Sequence, residues 1–278
     1  MRANERRNEE DMKKYVSFFR MRFSTGLQYR QAALAGMSTQ FVWGAMEILL
    51  FKAFYEADPS AFPMEFSALI SYIWLQQAFL SLYMMWFLER EIFDSITSGG
   101  IAYELCRPLD LYSMWFARNI ANRMSKAVLR CIPILLLAAL LPKPYGMQLP
   151  RSFAAFLLFL CSMGWALLVT VAFSMILYLL CFYTISPLGI RMVAFSFVEF
   201  FSGSVIPLPF LPDGVRQVCE FLPFASMQNV PFRIYSGNLS GSEGYEAISL
   251  QLFWVIILIS FGKYLLKKAL NKVVVQGG

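Results

Sequence analysis

The chain has 278 residues, of which 58% are hydrophobic, 17% aromatic and only 15% charged, against the roughly 25% charged residues of a soluble domain. Several apolar runs exceed the ~18 residues that cross a bilayer, and the short alternating segments of a membrane β-barrel are absent, so the expected fold is an all-α polytopic membrane protein. The net charge of +6 does not mark a nucleic-acid binder, because the basic residues flank apolar runs instead of gathering into one patch.

Residues 1–14 are polar and charged, and no apolar core follows within signal-peptide distance, so no cleavable signal is expected. From 13 to 30, Tyr15, Phe18, Phe19, Phe23 and Leu27 recur along one helical face. Lys13, Lys14 and Arg20 lie mostly off that face, while Arg22 intrudes on it. This pattern predicts a basic amphipathic helix lying in the headgroup plane. The first span is expected over residues 33–55 and contains Glu47 and Lys52. A short acidic loop leads to the second span, 66–88, which has no charge and carries Gln76 and Gln77 at its middle.

Next comes a stretch, 89–118, too charged for hydrocarbon, with Glu89, Arg90, Glu91, Asp94, Glu104, Arg107, Asp110 and Arg118. Gly99-Gly100 and Arg107-Pro108 punctuate it. Between the two breaks, Ile101, Leu105 and Tyr103 suit a short helix packed against something. Such a segment reads either as a docking surface for a soluble partner or as an ordinary solvated loop.

The third span is expected over 119–141, with Arg123, Lys126 and Arg130 marking its basic end and Pro133 a candidate kink. The fourth covers 153–182 without a charge. A tight turn precedes a fifth, 192–206, which holds Glu199 and the small-residue patch Ser202-Gly203-Ser204. Residues 207–235 are apolar yet broken by prolines, and read as a re-entrant or interfacial helical hairpin. The sixth span is expected over 248–266. Nineteen of the 24 basic residues fall at the amino end, in and just after the 89–118 stretch, at Arg191, or at the carboxyl end. Positive residues stay cytoplasmic, which puts both termini and the charged stretch inside.

With no His, the chain lacks the usual general base, the Ser-His and Cys-His nucleophile pairs and imidazole metal ligands. The five cysteines, Cys106, Cys131, Cys161, Cys181 and Cys219, show no C-x-x-C spacing and are expected to be inert buried thiols. No phosphate-binding loop is present; Phe261-Gly262-Lys263-Tyr264 lacks both the hydroxyl residue and the earlier glycine. Work driven by ATP would need a second chain to hydrolyse it.

The order of elements, from basic amphipathic helix through two spans, a cytoplasmic segment, two spans, a tight turn, a fifth span, a broken hairpin and a sixth span, resembles the permease subunits of type-2 ABC exporters. The sharpest local likeness is Glu91-Ile92 through Gly99-Gly100 to Leu105-Cys106-Arg107-Pro108-Leu109. It is similar to the glycine-then-R-P-L segment of a bacterial branch in which one ATPase gene accompanies two permease genes.

The resemblance implies one permease domain over 1–278, comprising a tail and connecting helix (1–32), a six-span bundle (33–266) and a cytoplasmic tail (267–278). It implies an external hairpin between the fifth and sixth spans and a multi-pass place in a bacterial inner membrane. The permease itself does no catalysis. Its ATPase-coupling segment would comprise Ile96, Gly99, Gly100, Ile101, Tyr103, Glu104, Leu105, Arg107 and Pro108. Two ATPase subunits would bind ATP and Mg, a second permease, identical or homologous, would complete the path, and membrane lipids would surround it.

Two other readings come from the residues. An ion-coupled secondary transporter would use Glu47, Lys52 and Glu199, and an integral-membrane lipid enzyme would need chemistry that a chain without His or paired Asp does not offer. Glu47, Gln76, Gln77 and Glu199 are the candidate transport-path or interface residues. Gln76 and Gln77 are expected to bond between helices, and Glu199 either to pair with Lys52 or a nearby backbone group, or to face the path.

Overall fold

The computed structural model describes residues 2–28, 30–184 and 186–271, with side chains over 12–28, 35–184 and 186–271. The readings of Arg2, Arg6, Arg7, Arg30 and Lys272 as cytoplasmic charges lie outside these described side chains, as does most of the expected 267–278 tail, whose first residues instead continue the last helix to Leu270. Among the described residues all regular structure is helical.

Helix α1 (Arg2–Gly26) is rich in strong helix formers, so the polar start expected as a tail instead continues unbroken into the amphipathic segment. Phe18 is buried, while Lys13, Lys14 and Arg20 stay exposed. Its apolar face meets protein, because α1 lies along α6 (Leu111–Leu140). The two approach so closely at Gly26 that a Cβ there would stand 2.1 Å from the Ser125 hydroxyl.

Helix α2 (Arg30–Ala57) packs on α3 (Phe66–Tyr83) and α6. Helix α3 is apolar all round, which suits a helix enclosed on every side; Leu69, Ile70, Tyr72, Ile73 and Ala78 are fully buried. It ends at Tyr83, short of the expected Leu88, and a 3-10 turn over Met85–Phe87 follows. Helices α4 (Arg90–Thr97) and α5 (Ile101–Leu105) form the charged stretch. That stretch ends earlier than expected, because Asp110 caps α6 by accepting a 2.8 Å bond from the Ser113 amide. The third span therefore begins at Leu111, well before Asn119, and continues as helix through Pro133.

Ser152 caps α7 (Phe153–Leu180), and a 3-10 turn, Cys181–Tyr183, follows it. Helix α8 (Pro187–Phe201) starts and stops earlier than the expected fifth span. The proline-broken segment folds into α9 (Asp213–Phe221) and α10 (Asn229–Ser236), joined by an ion pair between Arg233 and Glu220. Helix α11 (Ser242–Leu270) packs chiefly on α7.

Among the described residues, three stretches are long and apolar enough to cross a membrane: Phe66–Thr97, Phe153–Tyr183 and Ser242–Leu270. The three other helices expected to span fall outside that set for physical reasons. Gln40, Glu47 and Lys52 dilute α2, and α6 holds Arg123, Lys126 and Arg130. The 15 residues of α8 rise about 22 Å at ~1.5 Å each, against a hydrocarbon core ~30 Å thick.

The cysteines are all free. Cys181 and Cys219 are buried as expected, but Cys106 and Cys161 are exposed. Cys106 lies just after the short α5, where Ile101 has already turned inward to the core. Cys161 lies on the outward face of α7.

Candidate functional site

The charged stretch forms a hairpin built from α4 and α5. Helix α4 turns Ile92 and Phe93 into the core and keeps Arg90, Glu91 and Asp94 outside. The Phe93 ring meets Tyr178 of α7 edge-on, with centroids 5.0 Å apart. Thr97 and Ser98 donate hydroxyl bonds back to the carbonyls of Phe93 and Asp94, at 3.0 and 2.7 Å. Gly99 then reverses the chain at φ +77°, a conformation that favours glycine.

Helix α5 does not present one apolar face. Ile101 is buried and Ile96 packs on the core, whereas Tyr103 is 83% and Leu105 40% exposed. Gly99, Arg107 and Pro108 are exposed beside them. The nine residues of the expected coupling segment thus divide. Ile96, Ile101 and Glu104 hold the hairpin to the protein, with Gly100 half-buried at the turn, while the other five form its outer surface. Arg107, expected to fix the exit through a carboxylate or carbonyl, points outward with its side chain making no hydrogen bond or ion pair among the described residues.

A different arginine does the fixing. Arg118, buried on α6, gathers three carboxylates. It forms ion pairs with Glu89 and Glu104, each at 3.8 Å, and a closer one with Glu91. Trp115 donates its indole N–H to Glu104. Arg22 of α1 reaches Glu91 at 3.7 Å, and the Tyr15 hydroxyl accepts from the Asp110 amide at 3.0 Å. Burial first, and then the neighbouring Arg118, push the Arg22 guanidinium below its usual pKa. Hairpin, α1 and α6 are therefore joined at one charged centre.

One turn further along α6 lies a second buried arginine. Arg123 donates from Nε to Asn119 at 2.8 Å, to the carbonyls of Leu82 and Met84 at 2.8 and 3.0 Å, and to the Ser174 hydroxyl at 3.1 Å. Asn119 donates to the Tyr178 hydroxyl at 2.7 Å, and that hydroxyl accepts from the Glu89 amide at 2.9 Å. The last carbonyls of a helix lack partners within it and carry partial negative charge. Arg123 occupies that place at the end of α3, so it is a buried junction and not the basic marker at a span end that the sequence suggested.

The membrane-depth candidates occupy separate places. Gln76 donates to the Ser204 carbonyl at 2.6 Å, and Gln77 to Glu47 at 3.4 Å. Lys52 donates to the Tyr145 hydroxyl at 2.7 Å and pairs with Glu56 at 3.5 Å. It makes no ion pair with Glu199, which removes one of the alternatives expected for that carboxylate. Glu199 is half-buried beside Tyr83, Phe195, Met227 and Gln228, around a cavity of about 10 Å³ that holds one water at most.

Sequence reasoning missed Arg118 and Arg123 as internal anchors. The signal was present: two arginines, Arg118 and Arg123, stand within a span whose intervening residues, Asn119 to Asn122, carry no charge. It also missed Tyr72 and Gln228, which with Gln76 hold the turn after α8.

No curated protein matches the chain. The profile of a family described as ABC-2 family transporter protein matches residues 41–277, most of its length.

Proposed function

The chain belongs to the ABC-2 transporter family, and we propose that this permease subunit serves an ATP-driven exporter, coupled to a separate ATPase through the 89–118 hairpin. Six spans would place both termini and the hairpin on the cytoplasmic side, with α9 and α10 outside. Two ATPase subunits would bind ATP and Mg, and a second permease would complete the translocation path. The branch with one ATPase and two permease genes, in a bacterial inner membrane, fits the glycine-then-R-P-L segment.

One observation carries this reading. The hairpin offers an exposed aromatic and apolar tip, Tyr103 and Leu105, on a base fixed to α6 by Arg118. A rigid base passes a push from a docked partner into the bundle, whereas a loose loop would absorb it. Arg123 and Arg118, about one turn apart on α6, would carry the motion on to α3 and α1.

The test replaces both Tyr103 and Leu105 with Asp. Both side chains are exposed, so insertion and folding should persist. Removing aromatic contact and adding charge at an interface centre costs ~2 kcal/mol or more, so retention of the ATPase and substrate-stimulated hydrolysis should each fall by at least roughly tenfold. Parental binding and coupling in this variant would place the docking surface elsewhere. A secondary transporter built on Glu47, Lys52 and Glu199 has less support, since no ion pair joins them among the described residues.

A further inference from the structure

A cavity of about 390 Å³ opens between the end of α1 and the middle of α6, apart from the hairpin tip. Arg22, Thr25, Asn122, Ser125, Lys126 and Arg130 line it, together with Glu89 and Glu91. Those two carboxylates are already held by Arg118 and Arg22. Lys126 and Arg130 form no ion pair among the described residues. They stand one turn apart on the same helix, a spacing at which like charges repel. Both lie over the same ring, Phe87, at 5.3 and 5.4 Å from its centroid. The Nε atoms of Arg22 and Arg130 are buried without a hydrogen-bond partner among the described residues. The arrangement is a set of fixed donors and cations with room for an anion between them.

The surroundings say which anion. Leu129 lines the cavity, and beyond Arg130 α6 runs on to Ile132 and Leu136, exposed by 55% and 60%. A polar cradle that continues into a lipid-facing apolar stripe matches a headgroup joined to acyl chains. We propose that this cavity binds the phosphate of an anionic phospholipid of the inner leaflet. Lys126 and Arg130 hold the phosphate oxygens, Asn122 and Arg22 supply further donors, and the acyl chains lie along the outer face of α6. The lipid sits between α1 and α6 and braces the elbow through which the hairpin connects to the bundle. This assignment rests on the membrane placement and not on the ATPase coupling, so failure of the hairpin test leaves it standing.

The full-length chain in mild detergent is titrated with phosphatidylglycerol, phosphatidylcholine or inorganic phosphate, and bound copies are read by native mass spectrometry. Saturable phosphatidylglycerol binding is expected, with phosphatidylcholine weaker and inorganic phosphate unable to displace it. The K126Q/R130Q variant should bind phosphatidylglycerol roughly thirtyfold more weakly, since each surface-proximal cation contributes about fivefold. The control K267Q/K268Q, which removes the same charge from exposed positions on α11, should bind as the parent does. As a readout independent of any variant, phosphatidylglycerol should raise the thermal unfolding midpoint of the parent more than phosphatidylcholine does. Equal binding by K126Q/R130Q and parent, equal binding of the two lipids, or displacement by inorganic phosphate would each overturn the assignment.

Discussion

Arg123 is 1% exposed and has no carboxylate within ion-pair distance among the described residues. Its charge is balanced instead by oriented acceptors: two carbonyls at the end of α3, the Asn119 amide oxygen and the Ser174 hydroxyl. Buried cations are tolerated where every donor is met and helix-end dipoles point the right way. Arg118, five positions earlier, uses another solution, with Glu89 and Glu104 at 11% and 14% side-chain exposure beside it. Its third partner, Glu91, is 71% exposed and should add little, as surface pairs contribute ~0–1 kcal/mol. Replacing Arg123 with Met keeps the volume and removes the donors, leaving the Leu82 and Met84 carbonyls buried without partners. At ~1–3 kcal/mol for each, the variant should lose about 2–6 kcal/mol, read as a lowered unfolding midpoint in detergent. Arg123→Lys should recover only part of it, because one ammonium cannot span the four acceptors. An unfolding midpoint for the Met variant equal to the parent's would show that the junction is not held this way.

Elements that depend on local patterning were readable from the chain alone, and those set by distant partners were not. The apolar run of α7 and the basic amphipathic face around Phe18 were both legible, since composition and 3.6-residue periodicity settle them. The end of α3 was not: nothing near Tyr83 announces a stop, and the carbonyls released there are satisfied by Arg123, 41 and 39 positions away. The end of α8 was missed for the same kind of reason. Ser202-Gly203-Ser204 was visible as a small-residue patch, but its role as a turn depends on α3 and on the start of α10. Tyr72 donates to the Gly203 carbonyl at 3.2 Å, Gln76 to the Ser204 carbonyl, and Gln228 to the Ser202 hydroxyl at 3.3 Å. Gly203 adopts φ +75°, and a Cβ there would meet Leu208 and the Tyr72 hydroxyl at 3.2 Å. Gly203→Ala should therefore destabilise the protein by about 1–2 kcal/mol from the left-handed backbone alone, with the crowding adding to it. The measurement is the unfolding midpoint in detergent, and no loss on this substitution would mean that the turn relaxes freely. The same logic explains why the breaks in the charged stretch were legible while its faces were not. Gly99 and Pro108 mark its breaks in the sequence, but only Arg118 and Trp115 decide that Glu104 turns inward and Tyr103 outward.

At the scale of the whole molecule, the basic residues and the buried junctions describe one asymmetric object. The charged centre at Arg118, the α1–α6 cavity and the hairpin tip belong to stretches whose positive residues predict a cytoplasmic side, and the paired helices α9 and α10 lie in the segment expected at the other end. This arrangement makes the six-span topology testable with a thiol already present. Cys106 is exposed beside the hairpin tip, Cys181 and Cys219 are buried, and Cys161 lies on an outward face of the apolar α7. A thiol in hydrocarbon stays protonated and unreactive, while one in water reaches its thiolate. With the chain produced without an ATPase to cover the hairpin tip, a membrane-impermeant maleimide should therefore label Cys106 in inverted vesicles and leave it untouched in intact cells, and Cys106→Ser should abolish that signal. A cysteine introduced at Ser240, in the exposed loop before α11, should show the opposite pattern, being labelled from outside on a Cys106→Ser background. Cys106 and the residue at 240 are separated by the expected third, fourth and fifth spans, an odd number, so they must face opposite sides. Labelling of both positions from the same side would mean that one of α6, α7 and α8 does not cross; α8, only 15 residues long, would then be the helix to remove from the count.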